Sequence, residues 1–252
     1  MSDFTDAIVL VTGAASGIGA AVATQIANEG ARKLILIDMD EDRLRDFAFS
    51  LPCERQVLIG DVTDEQLWAD ADLTGLTHAV VNAGIGAGGA IEDLAFAEWR
   101  RVLSINLDGA FLTLQAAMRA IRSTGGGGIV LTASAAGVKA EAGIAAYGAS
   151  KAAVIHLARI AAKEGASANI RVNAIAPGGV ETAIWTGLPF FQDLIESTGS
   201  EEAAYKAMAS VSTPLGRYAS PEEIAGQIAF LLSERAAYMT GACLVSDGGY
   251  SL

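Results

Sequence analysis

Tyr147 and Lys151 stand four residues apart in YGASK, and Ser134 comes before them at the end of the apolar run GIVLTAS. Four residues make about one helical turn, so on a helix the Lys151 ammonium lies on the same face as the phenol. A cation beside a phenol favours the phenolate. Free tyrosine titrates near ~10, too high for an efficient base at neutral pH, so positive charge close by would have to lower it. The chemistry on offer is proton exchange with a substrate oxygen. Taken alone, the same spacing also describes an ordinary exposed helical pair.

A second chemical signature is VTGAASGIGAA (residues 11–21), which sets Gly13, Gly17 and Gly19 directly after the apolar run AIVLV. A strand, a glycine turn and a helix together predict a phosphate site at the helix N-terminus, with Gly13 in the tight turn and Gly17 and Gly19 admitting a dinucleotide diphosphate. Asp38 ends the next apolar run, LILID. A carboxylate there accepts hydrogen bonds from the adenosine ribose hydroxyls and repels a 2′-phosphate, and the 13–19 loop has no Arg or Lys to attract one. The expected cofactor is therefore NAD, with NADP disfavoured by Asp38. The other reading of Asp38 is a cap on the helix that starts near Glu41.

These residues need elements to position them. The apolar runs AIVLVT, KLILID, VLIGDV, HAVVNAG, GIVLTAS, NIRVNAIAPG and CLVSDGG alternate with helical stretches such as 17–29, 41–50 and EEIAGQIAFLLSE (222–234). Strands that are apolar throughout predict a parallel sheet covered on both faces: an α/β, doubly wound Rossmann fold of about seven strands. A single domain over 1–252 is expected, without repeats or separable linkers. The GGGG run at 125–128 reads as a helix-to-strand turn. Residues 181–213 break the rhythm with Trp185, Leu188, Phe190 and Phe191 in what reads as a long loop, predicted to be a lid over the substrate.

The chain's 252 residues carry a net charge of -12, which weighs against nucleic acid and anionic membrane as partners. It also weighs against an acidic carrier protein. Polar residues interrupt every apolar stretch before the ~18 residues of a membrane helix, and MSDFTDAIVLV has aspartates where a signal peptide carries positive charge, so the expected location is cytoplasmic. Cys53 and Cys243 have no metal-site or disulfide spacing, and no metal is expected. His78 and His156 are assigned no catalytic role.

In order and spacing, a set of short segments resembles the short-chain dehydrogenase/reductase family over essentially the whole chain. They are TGAASGIG (12–19), Asp38, DV (61–62), NAG (82–84), the asparagine of SINLDGAF (104–111), Ser134, YGASK (147–151), IRVNAIAPGGVET (170–182), PLGR (214–217), PEEIA (221–225) and the final TG…SDGG. The resemblance implies that Tyr147 is the acid/base and that Ser134 holds the substrate oxygen. It gives Lys151 the nicotinamide ribose and the lowering of the tyrosine pKa, and Asn106 the interruption of its helix and a water that relays protons from Lys151. It assigns cofactor contacts to Gly13, Ser16, Gly17, Ile18, Gly19 and Asp38. Asp61 and Val62 would meet the adenine, Asn82, Ala83 and Gly84 the adenosine side, and Pro177, Gly178, Val180 and Thr182 the carboxamide. Two departures stand out: Val81 replaces a frequent asparagine, and the short interval from Asp61 to Asn82 predicts a trimmed helix. A homo-oligomer, usually a tetramer, is implied, with helices around 96–121 and 147–166 at one interface.

The expected activity is NAD-dependent interconversion of a secondary alcohol and its ketone. Ser134, Ala136, Ile184, Trp185, Leu188 and Phe191, with the small residues 86–90, suggest an apolar pocket for a hydrophobic or aromatic substrate; lid packing or a subunit interface would use the same aromatics. Other readings are a 3-oxoacyl-carrier-protein reductase, a sugar or polyol dehydrogenase drawing on Glu141, Glu181 and Gln192, and a non-catalytic dinucleotide-binding protein.

Overall fold

Strands that lack polar alternation must be covered on both faces, and the central strands of the sheet are, while the two edge strands stay partly exposed. The computed structural model describes residues 3–252. Its sheet contains β1 (Ile8–Thr12), β2 (Lys33–Asp38), β3 (Glu54–Ile59), β4 (His78–Val81), β5 (Gly127–Thr132), β6 (Ile170–Pro177) and β7 (Cys243–Ser246). The order is β3-β2-β1-β4-β5-β6-β7, and all neighbours run parallel. β1 is buried along its whole length.

Alternate side chains of β1 feed separate cores. Val9 and Val11 face α1 (Gly17–Asn28), α2 (Glu41–Phe49) and α9 (Pro221–Leu232), where Val22, Leu44 and Ile228 pack. Ile8 and Leu10 belong to the opposite core, with Leu114 of α5 (Gly109–Ser123) and Val154 of α6 (Ala145–Gly165). α4 (Phe96–Leu103) leads into α5. The six-residue α3 (Glu65–Asp70) is the trimmed helix of the Asp61–Asn82 interval.

The strand order reverses between β1 and β4, and in such sheets the ligand crevice opens there, beyond the carboxyl ends of the strands. Helix boundaries fall within a residue or two of their expected places. At α9, Ser220 and Glu223 form a reciprocal capping box with Pro221 in the first turn.

The segment 181–213 is mostly helical rather than an irregular loop. It holds α7 (Pro189–Thr198) and α8 (Glu201–Ser212), and it encloses a small core of Phe191, Ala204, Tyr205, Ala209 and Tyr218, on which Trp185 and Leu188 pack. A bridge between Val180 and Ala219 closes its base. The aromatic run 185–191 gave no helical period because Trp185 and Leu188 precede α7, and the rings they and Phe191 pack with, Tyr205 and Tyr218, stand in α8 and beyond it. No helix among the described residues is long and apolar enough to cross a membrane.

Candidate active site

The turn from β1 into α1 is built without room for side chains. Gly13 sits at φ +64°, and a Cβ on Gly19 would overlap the Gly13 carbonyl oxygen. Asn82 braces this turn: its Nδ2 donates to the carbonyls of Thr12 (3.1 Å) and Gly13 (3.4 Å), while Thr12 Oγ1 accepts from the amides of Asn82 and Ala83. Ser16 occupies the N-cap of α1 in an extended conformation, and its side chain caps none of the first-turn amides. An uncapped helix N-terminus beneath a glycine turn suits an anionic diphosphate. Thr182 lies beside it, with Cγ2 3.2 Å from where a Cβ of Gly17 would stand.

Asp38 ends β2 next to this turn. Oδ2 accepts from the Ala15 amide at 2.9 Å, and Oδ1 accepts from Met39 (2.8 Å) and Asp40 (3.1 Å). The cap of α2 is Asp40, which accepts from the Arg43 amide. That leaves the half-buried Asp38 carboxylate to order the glycine turn. Asp61 Oδ1 accepts from the Thr63 amide, while Val62 is buried and its carbonyl takes the Trp68 indole N–H. Pro177 ends β6, and the Gly178 amide is held by the Ser246 carbonyl.

Ser134, Tyr147, Lys151 and Asn106 converge from three elements. Ser134 follows β5, is 9% exposed, and its Oγ accepts from the Ala136 amide at 3.2 Å. Tyr147 and Lys151 share one face at the start of α6, with Lys151 Nζ 5.8 Å from the Tyr147 ring centroid. Lys151 is buried and donates to the Thr132 carbonyl at 2.9 Å. Asn106 sits in one turn of π-helix, Ser104–Asp108, between α4 and α5. Its Oδ1 accepts from the Ile85 amide at 2.8 Å, and its Nδ2 donates to the Ile85 carbonyl (3.0 Å) and Ser150 Oγ (3.2 Å). Ser150 in turn donates to the Tyr147 carbonyl. A Cβ on Gly84 would stand 3.1 Å from Asn106 Oδ1 and 3.3 Å from Lys151 Nζ, so these two polar groups flank the same point.

Burial sets the electrostatics of this cluster. It lowers Lys151 to about 8, and it pushes the Tyr147 phenol up, offset only in part by Ser134. The expected lowering of the tyrosine by Lys151 is therefore not a property of these residues alone: the ammonium is engaged by the Thr132 carbonyl, and burial raises the phenol.

Within 181–213, Ile184 comes close to Gly86, with Cγ1 3.4 Å from where a Cβ of Gly86 would be. Trp185 donates to the Val180 carbonyl and stacks on Tyr218 at 5.6 Å, and Phe191 is fully buried among the aromatics of this segment's small core. The sequence reading passed over Thr12, Ser150, Tyr205 and Tyr218. Tyr205 Oη donates to the Thr182 carbonyl, tying α8 to the loop that follows β6. A groove of about 660 Å³ lies beside Gly17, Glu181–Ala183 and the start of α9, outside the cluster of Ser134, Tyr147 and Lys151.

With this geometry in place, similarity to known proteins becomes informative. A family profile described as enoyl-(acyl carrier protein) reductase, adh_short_C2, matches residues 13–251. The cis-4-hydroxycyclohexanecarboxylate dehydrogenase of Sinomonas cyclohexanicum is 38% identical, across 98% of both chains. A crystal structure of NAD+-bound xylitol dehydrogenase superposes with a TM-score of 0.85 at 34% identity, covering 98% of this chain and 99% of that one. The structure of L-sorbose reductase from Gluconobacter frateurii, complexed with NADPH and L-sorbose, has a TM-score of 0.92 at 29% identity, covering 99% and 98%. The glycine turn, the Asn106–Ser134–Tyr147–Lys151 cluster and these full-length matches lead to one assignment: the chain belongs to the short-chain dehydrogenase/reductase family of oxidoreductases.

Proposed function

We propose that the protein interconverts a secondary alcohol and its ketone with NAD(H), using Tyr147 as acid/base. The observation that carries this reading is the convergence of Tyr147, Ser134, Lys151 and Asn106 beyond the carboxyl end of β5. Gly13, Ser16, Gly17, Ile18 and Gly19 would hold the diphosphate, Asp38 the adenosine ribose, and Pro177–Thr182 the nicotinamide end. When bound, the cofactor would supply the hydride acceptor or donor, and in its oxidised form a positive charge beside the phenol.

The side chains divide the remaining work. Tyr147 takes the hydroxyl proton during oxidation and returns it during reduction. Ser134 donates a hydrogen bond to the substrate oxygen and stabilises its developing charge. Lys151 places an ammonium near the phenol, and the buried Asn106 fixes the backbone of Ile85 and the start of α6, so that tyrosine and lysine keep their spacing. Asp38 supports NAD over NADP; the similar structures include one with each cofactor, so the preference rests on this carboxylate.

An apolar, ring-bearing alcohol is the favoured substrate. Ile184, the small residues 86–90 and the alanines of 135–145 offer little polar recognition. Two of the three groups that would serve a polyol are engaged within the protein: Glu141 accepts from Tyr250, and Gln192 donates to the Thr186 carbonyl. The related dehydrogenase acts, by its name, on a hydroxycyclohexanecarboxylate. A carrier-protein substrate is disfavoured by the net charge of -12. We further propose a cytoplasmic homotetramer, for which the exposed Phe111 on α5 and Ile160 on α6 supply apolar contact surface. NADH formation with alcohols from polyols to bulky cyclic members is the test. Turnover confined to the cyclic, apolar alcohols supports the reading; turnover confined to polyols refutes the substrate assignment.

A further inference from the structure

After β7 the chain forms a compact hook. Asp247 accepts from the amides of Gly249 (2.9 Å) and Ser251 (2.8 Å), with Gly248 and Gly249 at positive φ. The hook touches three borders of the cleft. At its base the Ser246 carbonyl holds Gly178 of the proposed nicotinamide loop, and a Cβ on Gly178 would stand 2.7 Å from Asp247 Cα. At its bend the Gly248 carbonyl accepts from Leu215, just past the lid, and Gly249 packs on Pro214. At its tip Tyr250 grips the loop that joins Ser134 to Tyr147. Lys139 Nζ donates to the Tyr250 carbonyl at 2.8 Å and stands 4.3 Å from its ring centroid, and Tyr250 Oη donates to Glu141 Oε2 at 2.8 Å.

That loop has nothing else of substance to hold it between its ends. Ala140, Glu141 and Ala142 are all exposed, and none carries an apolar side chain large enough to anchor the backbone. Its far end is fixed where the Gly89 amide donates to the Gly143 carbonyl at 2.6 Å, across the small-residue stretch that faces the lid. A segment that buries no apolar surface opens readily unless polar contacts hold it.

We infer that Tyr250, through Lys139 and Glu141, is a positioning residue that fixes the 139–144 loop as the outer wall of the substrate cleft and so sets the affinity for the alcohol. This rests on the proposed function. Burial and the adjacent Glu141 carboxylate push the Tyr250 phenol up to about 12, so the clamp stays hydrogen-bonded across the range of alkaline dehydrogenase assays.

The test uses the full chain with the best alcohol of the panel, and NADH as the binding probe. Tyr250→Phe removes only the Oη contact. The expected result is an alcohol KM raised about three- to tenfold, the size of one exposed hydrogen bond to a charged acceptor, with kcat within about twofold and NADH affinity unchanged. Glu141→Ala gives the same change, Glu141→Gln stays near wild type because its amide oxygen still accepts, and Tyr250→Phe combined with Glu141→Ala is no worse than either alone. Amide hydrogen exchange over 139–143 quickens in Tyr250→Phe. An unchanged KM in both single variants, or parallel losses in KM, kcat and NADH affinity, would overturn the inference. Tyr147→Phe is assayed alongside. If it retains turnover, the proposed function fails; if it abolishes turnover while Tyr250→Phe keeps a wild-type KM, the clamp alone fails.

Discussion

Replacing Asp38 with alanine separates the two cofactors in a way that can be worked out beforehand. A ribose hydroxyl donating to a charged acceptor is worth roughly 1.5–3 kcal/mol, so losing the carboxylate weakens NADH about ten- to a hundredfold. A 2′-phosphate gains instead. Two unit charges roughly 4 Å apart repel by about 4 kcal/mol at an effective dielectric of about 20, and for a half-exposed carboxylate solvent screening reduces this to ~1–2 kcal/mol. NADPH should therefore bind about five- to thirtyfold more tightly than to wild type. The Ala15 amide also loses its acceptor, which loosens the glycine turn, but that cost falls on both cofactors and cancels in their ratio. Fluorescence titration of NADH and NADPH against wild type and Asp38→Ala gives the four dissociation constants. The account expects wild type to prefer NADH and the ratio to move toward NADPH by about fiftyfold or more. Wild-type binding of NADPH equal to or tighter than NADH, or a ratio unmoved by the substitution, refutes the role assigned to Asp38.

Other consequences concern stability and pH. Burial, with a smaller contribution from Arg171, lowers His78 to about 4, and its Nδ1 lies 2.8 Å from Thr77 Oγ1. The unfolded chain therefore binds the extra proton first, and stability present above pH ~6.5 is lost as pH falls toward 4, to a total of about 3 kcal/mol. Urea melts at pH 7 and 5 should show wild type losing about 2 kcal/mol more than His78→Gln; equal losses would rule this out. Arg171 donates to the carbonyls of Leu231, Leu232, Ser233 and Ala236 at the end of α9. Arg171→Met strips these acceptors and should cost about 3 kcal/mol or more, seen as a lower urea midpoint. Because burial holds the Tyr147 phenol up, alcohol oxidation should accelerate from pH 7 to 9 while ketone reduction does not; a flat oxidation profile with chemistry limiting the rate contradicts the assignment.

Much of this was legible along the chain because it is local. Runs such as IVLVT and KLILID disclose strands covered on both faces, and the spacing of Tyr147 and Lys151 places them on one turn of α6. The glycines of residues 13–19 announce a crowded turn, although the brace that Asn82 supplies to Thr12 and Gly13 from some seventy residues away gave no local signal. The aromatic run in 181–213 misled in its secondary structure. Trp185 and Phe191 look like pocket residues until Tyr205 and Tyr218 are brought beside them, and only the tertiary arrangement shows that this segment carries its own core. The Tyr250 hook was hidden for the same reason, since its partners Lys139 and Glu141 lie more than a hundred residues earlier.

The central claim is proton transfer at Tyr147, and one comparison addresses it most directly. NADH formation is followed with a secondary alcohol for wild type and Tyr147→Phe, after both proteins are shown by titration to bind NADH equally. The account predicts turnover in wild type and its loss by about a thousandfold or more in the variant, within the range typical of a general acid/base. Comparable turnover in both proteins would contradict it.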